Sequence, residues 1–165
     1  MSGDVGIHVT VDGLESAIDL MARIAGLPEN ELLDYLGRQI QQQTCDRIED
    51  EKTAPDGTAW KANRAGTSIL YREGNLARSI EYAPSGHAVA VGSGLIYARI
   101  HQLGGDIKPV NGSALKFWWV HDAHVEFAVV KKVTMPARPY LGLSDENRED
   151  VMDAVVDFLR RRALQ

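Results

Sequence analysis

The sequence predicts a single compact domain that combines helices with hairpin-forming strands. A chain of 165 residues with 44% hydrophobic content can bury one sizeable core. Apolar residues recur at helical spacing in the first third of the chain and again near its end. Between these regions, pairs of short apolar runs are separated by turn residues. The predicted order within domain 1–165 is an N-terminal strand and helices (5–52), a loop (53–67), a sheet region (79–133) and a C-terminal helix (144–163).

The N-terminal third predicts one strand and two helices. Val5–Val11 alternates apolar and polar residues, which is typical of a half-buried strand. Leu14–Ala25 has apolar residues at helical spacing before Gly26 and Pro28 end the run. Glu29–Lys52 predicts a longer helix with an acid-rich outer side. Its expected core-facing residues are Leu32, Leu33, Leu36, Ile40 and Ile48.

An irregular, exposed loop is predicted at Thr53–Thr67. It contains several turn-forming residues and one large apolar residue, Trp60, which we expect to dock on the core. After a helical turn at Asn75–Ser79, the runs Ile80–Tyr82 and Ala88–Val91 flank a Pro-Ser-Gly turn signal. These two runs therefore predict a β-hairpin.

A second strand pair is predicted further along the chain. Leu115–Val120 and Val125–Val133 are rich in aromatic and β-branched residues. Between the two hairpins, Gly104–Ser113 predicts a flexible excursion. Alternation within the second pair predicts one buried face, formed by Phe117, Trp119, Phe127 and Val129.

The C-terminal helix carries the strongest local signals in the chain. Ser144 is placed to be its N-cap, acidic residues occupy its first turn, and three consecutive arginines lie near its end. These charges complement the helix dipole. Its apolar stripe must pack on the sheet or on another subunit, and consists of Val151, Ala154, Val155, Phe158 and Leu159.

Two further segments have a distinctive pattern. Tyr97–Gly105 (YARIHQLGG) predicts a short helix ended by a glycine pair, because glycine tolerates the left-handed conformation found at helix ends. In Met135–Ser144 (MPARPYLGLS), Pro136 and Pro139 restrict the backbone on both sides of Arg138. We therefore expect Arg138 to be presented on a stiff, extended rod.

Composition argues against several classes of function. The net charge of -5 gives no overall basic field, which argues against DNA binding as the sole function. The single cysteine, Cys45, cannot form an internal disulfide or, by itself, a thiolate metal site. No apolar run approaches the ~18 residues of a membrane span, and no basic and hydrophobic leader is recognised. We expect no membrane partner and a cytosol-like compartment.

The candidate chemical groups do not form a recognisable active site. His121, Asp122 and His124 could offer metal ligands, but their spacing is not that of a helical HExxH pair and a polar turn is the simpler interpretation. His101 could act as a general base, although no serine or cysteine nucleophile can be assigned to it. The glycines at 92–94 lack a full phosphate-binding pattern. We expect no enzyme activity, catalytic residue, cofactor or metal.

Two alternatives stay open at this point. A metal-dependent hydrolase would use His101, His121 and His124. A DNA-contacting assembly factor would use a local basic patch, although ion pairs with the acidic helix are the simpler role for its residues Arg64, Arg72 and Arg78.

Four short motifs follow one another in the chain. They are PDG-x-x-W at Pro55–Trp60, the stretch Leu70–Ile80 with REGNLARSI, the block Val91–Gly105, and MPARPYLGLS at Met135–Ser144. In this order and spacing they resemble the phage virion morphogenesis family, the tail completion proteins of Mu-like and P2-like phages. The pattern is also similar to that of the broader group of phage neck proteins. One departure is Glu73, where the family usually has threonine or serine.

The resemblance implies an α+β fold in which long helices pack on a mainly antiparallel sheet, in agreement with the predicted elements. It also implies a non-enzymatic virion protein, a tail completion or tail terminator protein, that acts as a ring at the head–tail junction. Assembly would take place in the host bacterial cytoplasm. A hexamer is favoured and a dodecamer is the alternative. The implied partners are the tail tube protein and the head-closure or connector proteins, with DNA at most passing through the lumen.

A closed ring requires a heterologous interface, in which one surface docks on a different surface of the next subunit. The 53–67 loop and the MPARPYLG rod are the candidates for its two sides, with Arg138 pairing to a carboxylate of the neighbour. The candidate interface residues are Trp60, Arg64, Arg138, Pro139 and Tyr140. The residues expected to define the fold are Tyr97, His101, Gly104, Gly105, Pro136, Arg138 and Pro139.

Overall fold

The computed structural model describes residues 5–8, 29–63, 66–121 and 124–163. Its helices are α1 (Glu29–Asp46), α2 (Asn75–Arg78), α3 (Ala98–Leu103) and α4 (Asp145–Ala163), and a π-helical segment (Arg47–Glu51) continues α1. Its strands are β1 (Val5–His8), β2 (Ile80–Ser85), β3 (Ala88–Ser93), β4 (Gly105–Ile107), β5 (Leu115–His121), β6 (His124–Val130) and β7 (Val133–Met135). The helix predicted at 14–25, and residues Arg64 and Asp122, lie outside the described residues.

The described strands pair in antiparallel fashion and form three small sheets. In the first sheet, β3 lies between β1 and β2, so that Val91 is opposite both Ile7 and Tyr82. β4 pairs with β7, and β5 pairs with β6. Together with the two long helices, these sheets confirm the predicted α+β class.

The β2–β3 hairpin differs in detail from its prediction. The Pro-Ser-Gly signal predicts a turn at 84–86, whereas Pro84 pairs with Val89 and the turn lies at Gly86 and His87. Gly86 has a φ of 57°, which glycine adopts readily. β2 is an edge strand of its sheet, and edge strands tolerate proline.

A short strand pair replaces part of the predicted excursion at 104–113. Gly105 lies opposite Met135, and Ile107 lies opposite Val133. Each of the two strands has three residues, which is too short to give an alternation signal in the sequence. The pair links the YARIHQLGG and MPARPYLGLS segments through their backbones.

α1 packs on the first sheet through a close contact between Gly37 and Tyr82. A Cβ atom on Gly37 would lie 2.3 Å from Cδ2 of Tyr82, so a larger residue would force the helix and the ring apart. The Tyr82 hydroxyl donates to Asp34 Oδ1 at 2.8 Å and accepts from Arg38 Nε at 3.1 Å. The predicted core-facing residues of this helix are all buried, and they are Leu32, Leu33, Leu36, Ile40 and Ile48.

α4 packs against α1 along the predicted apolar stripe, whereas the sequence predicted that this stripe packs on the sheet or on another subunit. Val151 and Val155 are buried, and the Phe158 ring stacks on Tyr35 with centroids 6.2 Å apart. The predicted N-cap is also confirmed, since Ser144 Oγ accepts a hydrogen bond from the backbone N–H of Asn147 at 3.1 Å. The stripe is therefore covered within the chain, and the other side of α4 is left exposed.

α1 and α4 are the longest described helices, with 18 and 19 residues. Neither of them, nor any other helix in the described part of the chain, is long and apolar enough to cross a membrane.

Candidate functional site

The MPARPYLGLS segment runs through the protein interior. Arg138 is 5% exposed and Tyr140 is fully buried. Arg138 donates from Nε and Nη2 to the carbonyl oxygen of Lys61, at 3.0 and 2.8 Å, and burial lowers the pKa of its guanidinium. The prediction of an exposed Arg138 on a rod is therefore wrong, because the backbone of the 53–67 loop holds the guanidinium.

The 53–67 loop and this segment contact each other within one chain. The Trp60 indole Nε1 donates to the carbonyl oxygen of Pro139 at 3.0 Å, which confirms Trp60 as the buried anchor of the loop. Gly142 packs so closely on Pro55 that a Cβ atom would lie 2.8 Å from its Cγ. The two segments were candidates for opposite sides of a subunit contact. That assignment of Trp60, Arg138, Pro139 and Tyr140 stays a prediction, and their burial favours a structural role inside the chain.

Gln102 of α3 holds the same segment from another side. Its Oε1 accepts hydrogen bonds from the backbone N–H groups of Tyr140 and Leu141, at 2.9 and 3.0 Å, and its Nε2 donates to the Leu141 carbonyl at 3.3 Å. The Gln102 side chain thereby pairs with backbone N–H and C=O groups that a neighbouring strand would otherwise satisfy. Sequence reasoning missed Gln102. The available signal was its position one helical turn after Ala98, which is also buried.

Arg47 of the π-helical segment also binds the MPARPYLGLS segment. We call the contacts of that segment with Trp60, Gln102 and Arg47 the internal junction. Arg47 is 1% exposed, and its Nη1 donates to the carbonyl oxygens of Tyr140 and Gly142 at 3.2 and 2.8 Å. Its Nη2 donates to Oδ1 of Asn147 in α4. Burial lowers the pKa of Arg47, while the nearby Glu51 carboxylate opposes that change. Sequence reasoning missed this residue too, because an arginine in an acid-rich helix end is typical of a surface ion pair.

The glycine pair ends α3 as predicted. Gly104 has a φ of 68°, and a Cβ atom there would lie 2.6 Å from the backbone nitrogen of Ala137. The His101 carbonyl accepts a hydrogen bond from the Arg138 backbone N–H at 2.8 Å. The structure thus brings α3 and the MPARPYLGLS segment together, and with them the motif residues Tyr97, His101, Gly104, Gly105, Pro136, Arg138 and Pro139.

The environment of His101 favours its neutral form. Burial, and then the positive charge of Arg138, lower the pKa of the imidazole. Its ring contacts the Tyr97 ring edge-on, with centroids 5.9 Å apart, beside a cavity of about 310 Å³. Its Nδ1 is buried with no hydrogen-bond partner among the described residues. Within the same residues, no serine or cysteine is hydrogen-bonded to it as a nucleophile would be.

The metal alternative gains no support from the described residues. His101 lies in α3 and His124 begins β6. The side chain of His121 and the whole of Asp122 lie outside the part of the chain that the structure describes. No group of three His, Cys, Asp or Glu residues in the described ranges could hold a metal ion. Burial, followed by nearby carboxylates, raises the pKa of Cys45 to about 11, so its thiol stays protonated at neutral pH.

The structure describes two of the three arginines of the DNA-contacting alternative, Arg72 and Arg78. The Arg78 guanidinium folds back on its own loop, where Nη2 donates to Asn75 Oδ1 at 2.8 Å and to the Glu73 carbonyl at 2.5 Å. Arg72 is exposed, and Arg64 lies outside the described residues. Arg78 therefore stabilises a turn and pairs neither with the acidic helix nor with a described basic surface.

The β5–β6 hairpin exposes the side chains that were predicted to be buried. The prediction placed four residues on one face: Phe117, Trp119, Phe127 and Val129. In the observed register Phe117 is opposite Ala128 and Trp118 is opposite Phe127, so the four residues divide between two faces. Phe127 and Val129 are 63% and 53% exposed. The predicted buried face is therefore wrong.

One face of this hairpin is almost entirely apolar. On it, Trp118 pairs with Phe127 and Val120 pairs with Val125, while Val129 lies opposite the exposed Lys116. Its large apolar side chains are between 49% and 71% exposed. We call this surface the hairpin face, and it consists of Lys116, Trp118, Val120, Val125, Phe127 and Val129.

Comparison with known proteins places the chain in a family. The model of the phage virion morphogenesis family matches residues 11–160. The chain is also 27% identical, over 169 residues, to "Putative capsid assembly protein G" of Escherichia phage Mu, with 94% of each chain covered. No solved structure matches the chain significantly. The family match confirms the resemblance inferred from the four motifs. This chain belongs to the phage virion morphogenesis family.

Proposed function

We propose that this protein is a non-enzymatic component of the virion that completes the phage tail. It forms a homo-oligomeric ring that caps the tail and joins it to the head connector. Membership of a virion morphogenesis family supports a role in assembly, and the similar Mu protein carries a capsid assembly name. The observation that carries the ring is the hairpin face, an apolar surface left open on the single chain.

The size of the hairpin face supports a binding role. An aromatic residue buries about 150–250 Å² when it is fully covered. Two aromatic residues and three valines, each about half exposed or more, therefore offer an apolar area on the order of several hundred Å². The largest apolar patches on soluble monomers are of this size, about 300–600 Å², and they are often functional.

A ring also needs more surface than this. Each partner in a standard protein interface buries about 800 Å². The hairpin face must therefore be joined by neighbouring residues of the same subunit. Because a ring closes through heterologous contacts, the second surface lies elsewhere on the neighbouring subunit. We favour a hexamer, since sixfold symmetry suits a tail end, and a dodecamer is the alternative that suits a connector.

In this role the ring binds the tail tube protein on one side and a head-closure or connector protein on the other. It assembles in the host cytoplasm and stays at the head–tail junction, where DNA at most passes through the lumen.

Light scattering at several protein concentrations, with negative-stain images of the same samples, tests this function. The same images are taken after mixing the protein with tails from a phage that lacks it. We expect closed rings, in solution or at the tail ends, and the images give their symmetry. A strict monomer that also fails to bind tail ends would contradict the proposed function.

A further inference from the structure

The hairpin face requires a partner surface, and α4 presents one of matching chemistry. Met152 and Val156, one helical turn apart, are 47% and 39% exposed on the side of α4 that does not pack against α1. The neighbouring Val151 and Val155 are buried on the other side. An apolar strip is therefore left open on a helix whose core-facing stripe is already covered.

Carboxylates surround this strip. Glu149 and Asp153 are exposed and lie three residues before Met152 and Val156, respectively, which places them on the same side of the helix. From Asp145 to Asp157 the helix carries six carboxylates and one arginine, whereas three arginines follow at 160–162. Arg148 lies four residues before Met152 and Arg160 four residues after Val156. We call this surface the outer face of α4, and it consists of Asp145, Glu149, Met152, Asp153 and Val156.

The hairpin has the opposite charge. Lys116 lies on the hairpin face, and Lys131 follows directly after β6; both are exposed. The carboxylate of Glu126 lies on the other face of the hairpin, since Glu126 pairs with Trp119. The hairpin face is thus apolar with a basic edge, while the outer face of α4 is apolar with its carboxylates concentrated before Arg160.

We propose that the hairpin face of one subunit docks on the outer face of α4 in the next copy of this chain. Trp118 and Phe127 cover Met152 and Val156, and Lys116 lies against the carboxylates of α4. This inference rests on the proposed ring and names the two surfaces that close it. Because the two surfaces differ, the contact is heterologous and can repeat around an axis.

Two other surfaces of the chain fit less well. Pairing two hairpin faces about a twofold axis would bring basic edges together and close a dimer, which does not extend to a ring. Exposed apolar residues also lie near α3, such as Ile96 and Leu103. Asp106, which follows α3 in the chain, already accepts a hydrogen bond from Lys132 at 3.0 Å. The outer face of α4 therefore offers the better charge match.

Cysteine cross-linking of the full chain tests the contact. In a Cys45→Ser background, one protein carries Val125→Cys and a second carries Val156→Cys. The two are mixed, allowed to assemble and oxidised. We expect a disulfide-linked dimer only in the mixture, because each single variant lacks the opposite partner. The matched control replaces Val156→Cys by Glu49→Cys, at an exposed position near the end of α1, and is expected to give no cross-link.

Charge exchange gives a second readout. Lys116→Glu and Asp153→Lys are each expected to weaken assembly by roughly tenfold, because each change replaces an attraction by a repulsion. Combining both changes in one chain restores opposite charges across the contact and is expected to recover most of that loss. Because the double variant also restores the net charge of the chain, the matched control combines Lys116→Glu with Glu49→Lys, which restores the net charge away from the contact and is expected to show no recovery.

The outcomes separate this inference from the proposed function. A ring that assembles without the Val125→Cys and Val156→Cys cross-link, and whose assembly Lys116→Glu does not weaken, overturns the contact and leaves the ring intact. A cross-link with Val125→Cys alone identifies hairpin–hairpin pairing and also overturns it. A chain that forms no oligomer, alone or on tails, contradicts both the contact and the proposed function.

Discussion

Trp118 and Phe127 lie directly opposite each other on β5 and β6, and they are 66% and 63% exposed. Side chains at such paired positions are close neighbours, with Cβ atoms about 4.5–5.5 Å apart, so the two rings form one continuous apolar surface. The same chain buries Trp60 and Tyr140 almost completely. An aromatic pair left this open is typical of a surface used for binding.

The double variant Trp118→Ser/Phe127→Ser is expected to fold. Both side chains are largely exposed, so their loss removes mainly cross-strand contacts, at about 0.2–1 kcal/mol for the pair. Urea denaturation of the monomeric form measures this effect. A loss of several kcal/mol in the free energy of unfolding would indicate that the hairpin is part of the core.

Replacing Arg138 by alanine is expected to destabilise the single chain. The change removes two hydrogen bonds from a buried guanidinium to the Lys61 carbonyl, and hydrogen bonds to charged groups contribute about 1.5–3 kcal/mol each. Urea denaturation should therefore show a loss on the order of 3 kcal/mol.

The control for this variant is Arg160→Ala, whose exposed ion pair with Asp157 should contribute less than about 1 kcal/mol. If Arg138→Ala left the stability of the chain unchanged and abolished assembly, Arg138 would act at a subunit interface after all.

Gly104→Ala is expected to destabilise the junction between α3 and the MPARPYLGLS segment. The residue has a φ of 68°, and an added Cβ would lie 2.6 Å from the Ala137 nitrogen. A left-handed non-glycine residue costs roughly 1–3 kcal/mol, and the close contact adds to that cost. Thermal unfolding compares it with Gly94→Ala, which has open space around it and should be nearly neutral. Equal melting temperatures for the two variants would contradict the structure at this point.

Stability is expected to decrease on mild acidification because of His101. Its pKa in the folded chain is lowered from the ordinary value of 6.5 by burial and by the Arg138 charge. Between that lowered pKa and pH 6.5 the unfolded chain binds the proton and the folded chain does not. The contribution of His101 to the free energy of unfolding is therefore complete above pH 6.5 and decreases as the pH falls through this window. Chemical denaturation across this range should show a smaller decrease for His101→Phe, whose side chain does not titrate. Parallel curves for the two proteins would exclude His101 as the cause.

The sequence predicted the elements whose signals are local. The spacing of Leu32, Leu36 and Ile40 marks the buried side of α1, and all three are buried. Ser144 caps α4, and Gly104 ends α3 with a positive φ of 68°. Each of these outcomes depends on a few neighbouring residues and on backbone geometry that glycine or a capping hydroxyl makes favourable.

The predictions that were wrong concern how one segment of the chain is aligned with another. Alternation within β5 or β6 identifies which residues share one side of that strand, but not which sides of the two strands align. Because His121 pairs with His124, Phe117 shares a face with Ala128, while Phe127 lies on the other face.

The internal junction could not be predicted for a related reason. Two prolines indicate that the backbone around Arg138 is stiff, but they do not indicate what covers it. Its acceptor, the Lys61 carbonyl, lies 77 residues away in the chain. Arg47 and Gln102 likewise bind backbone atoms of a segment that only the tertiary structure brings near them.

The most direct test of the central claim is the mass in solution of the wild-type protein and of Trp118→Ser/Phe127→Ser, measured by light scattering at matched concentrations. We expect a ring for the wild type and a folded monomer for the variant. Phe117→Ser, on the other face of the hairpin, should keep the ring and serves as the control. A Trp118→Ser/Phe127→Ser protein that assembles to the same mass as the wild type would contradict the claim that the hairpin face closes the ring.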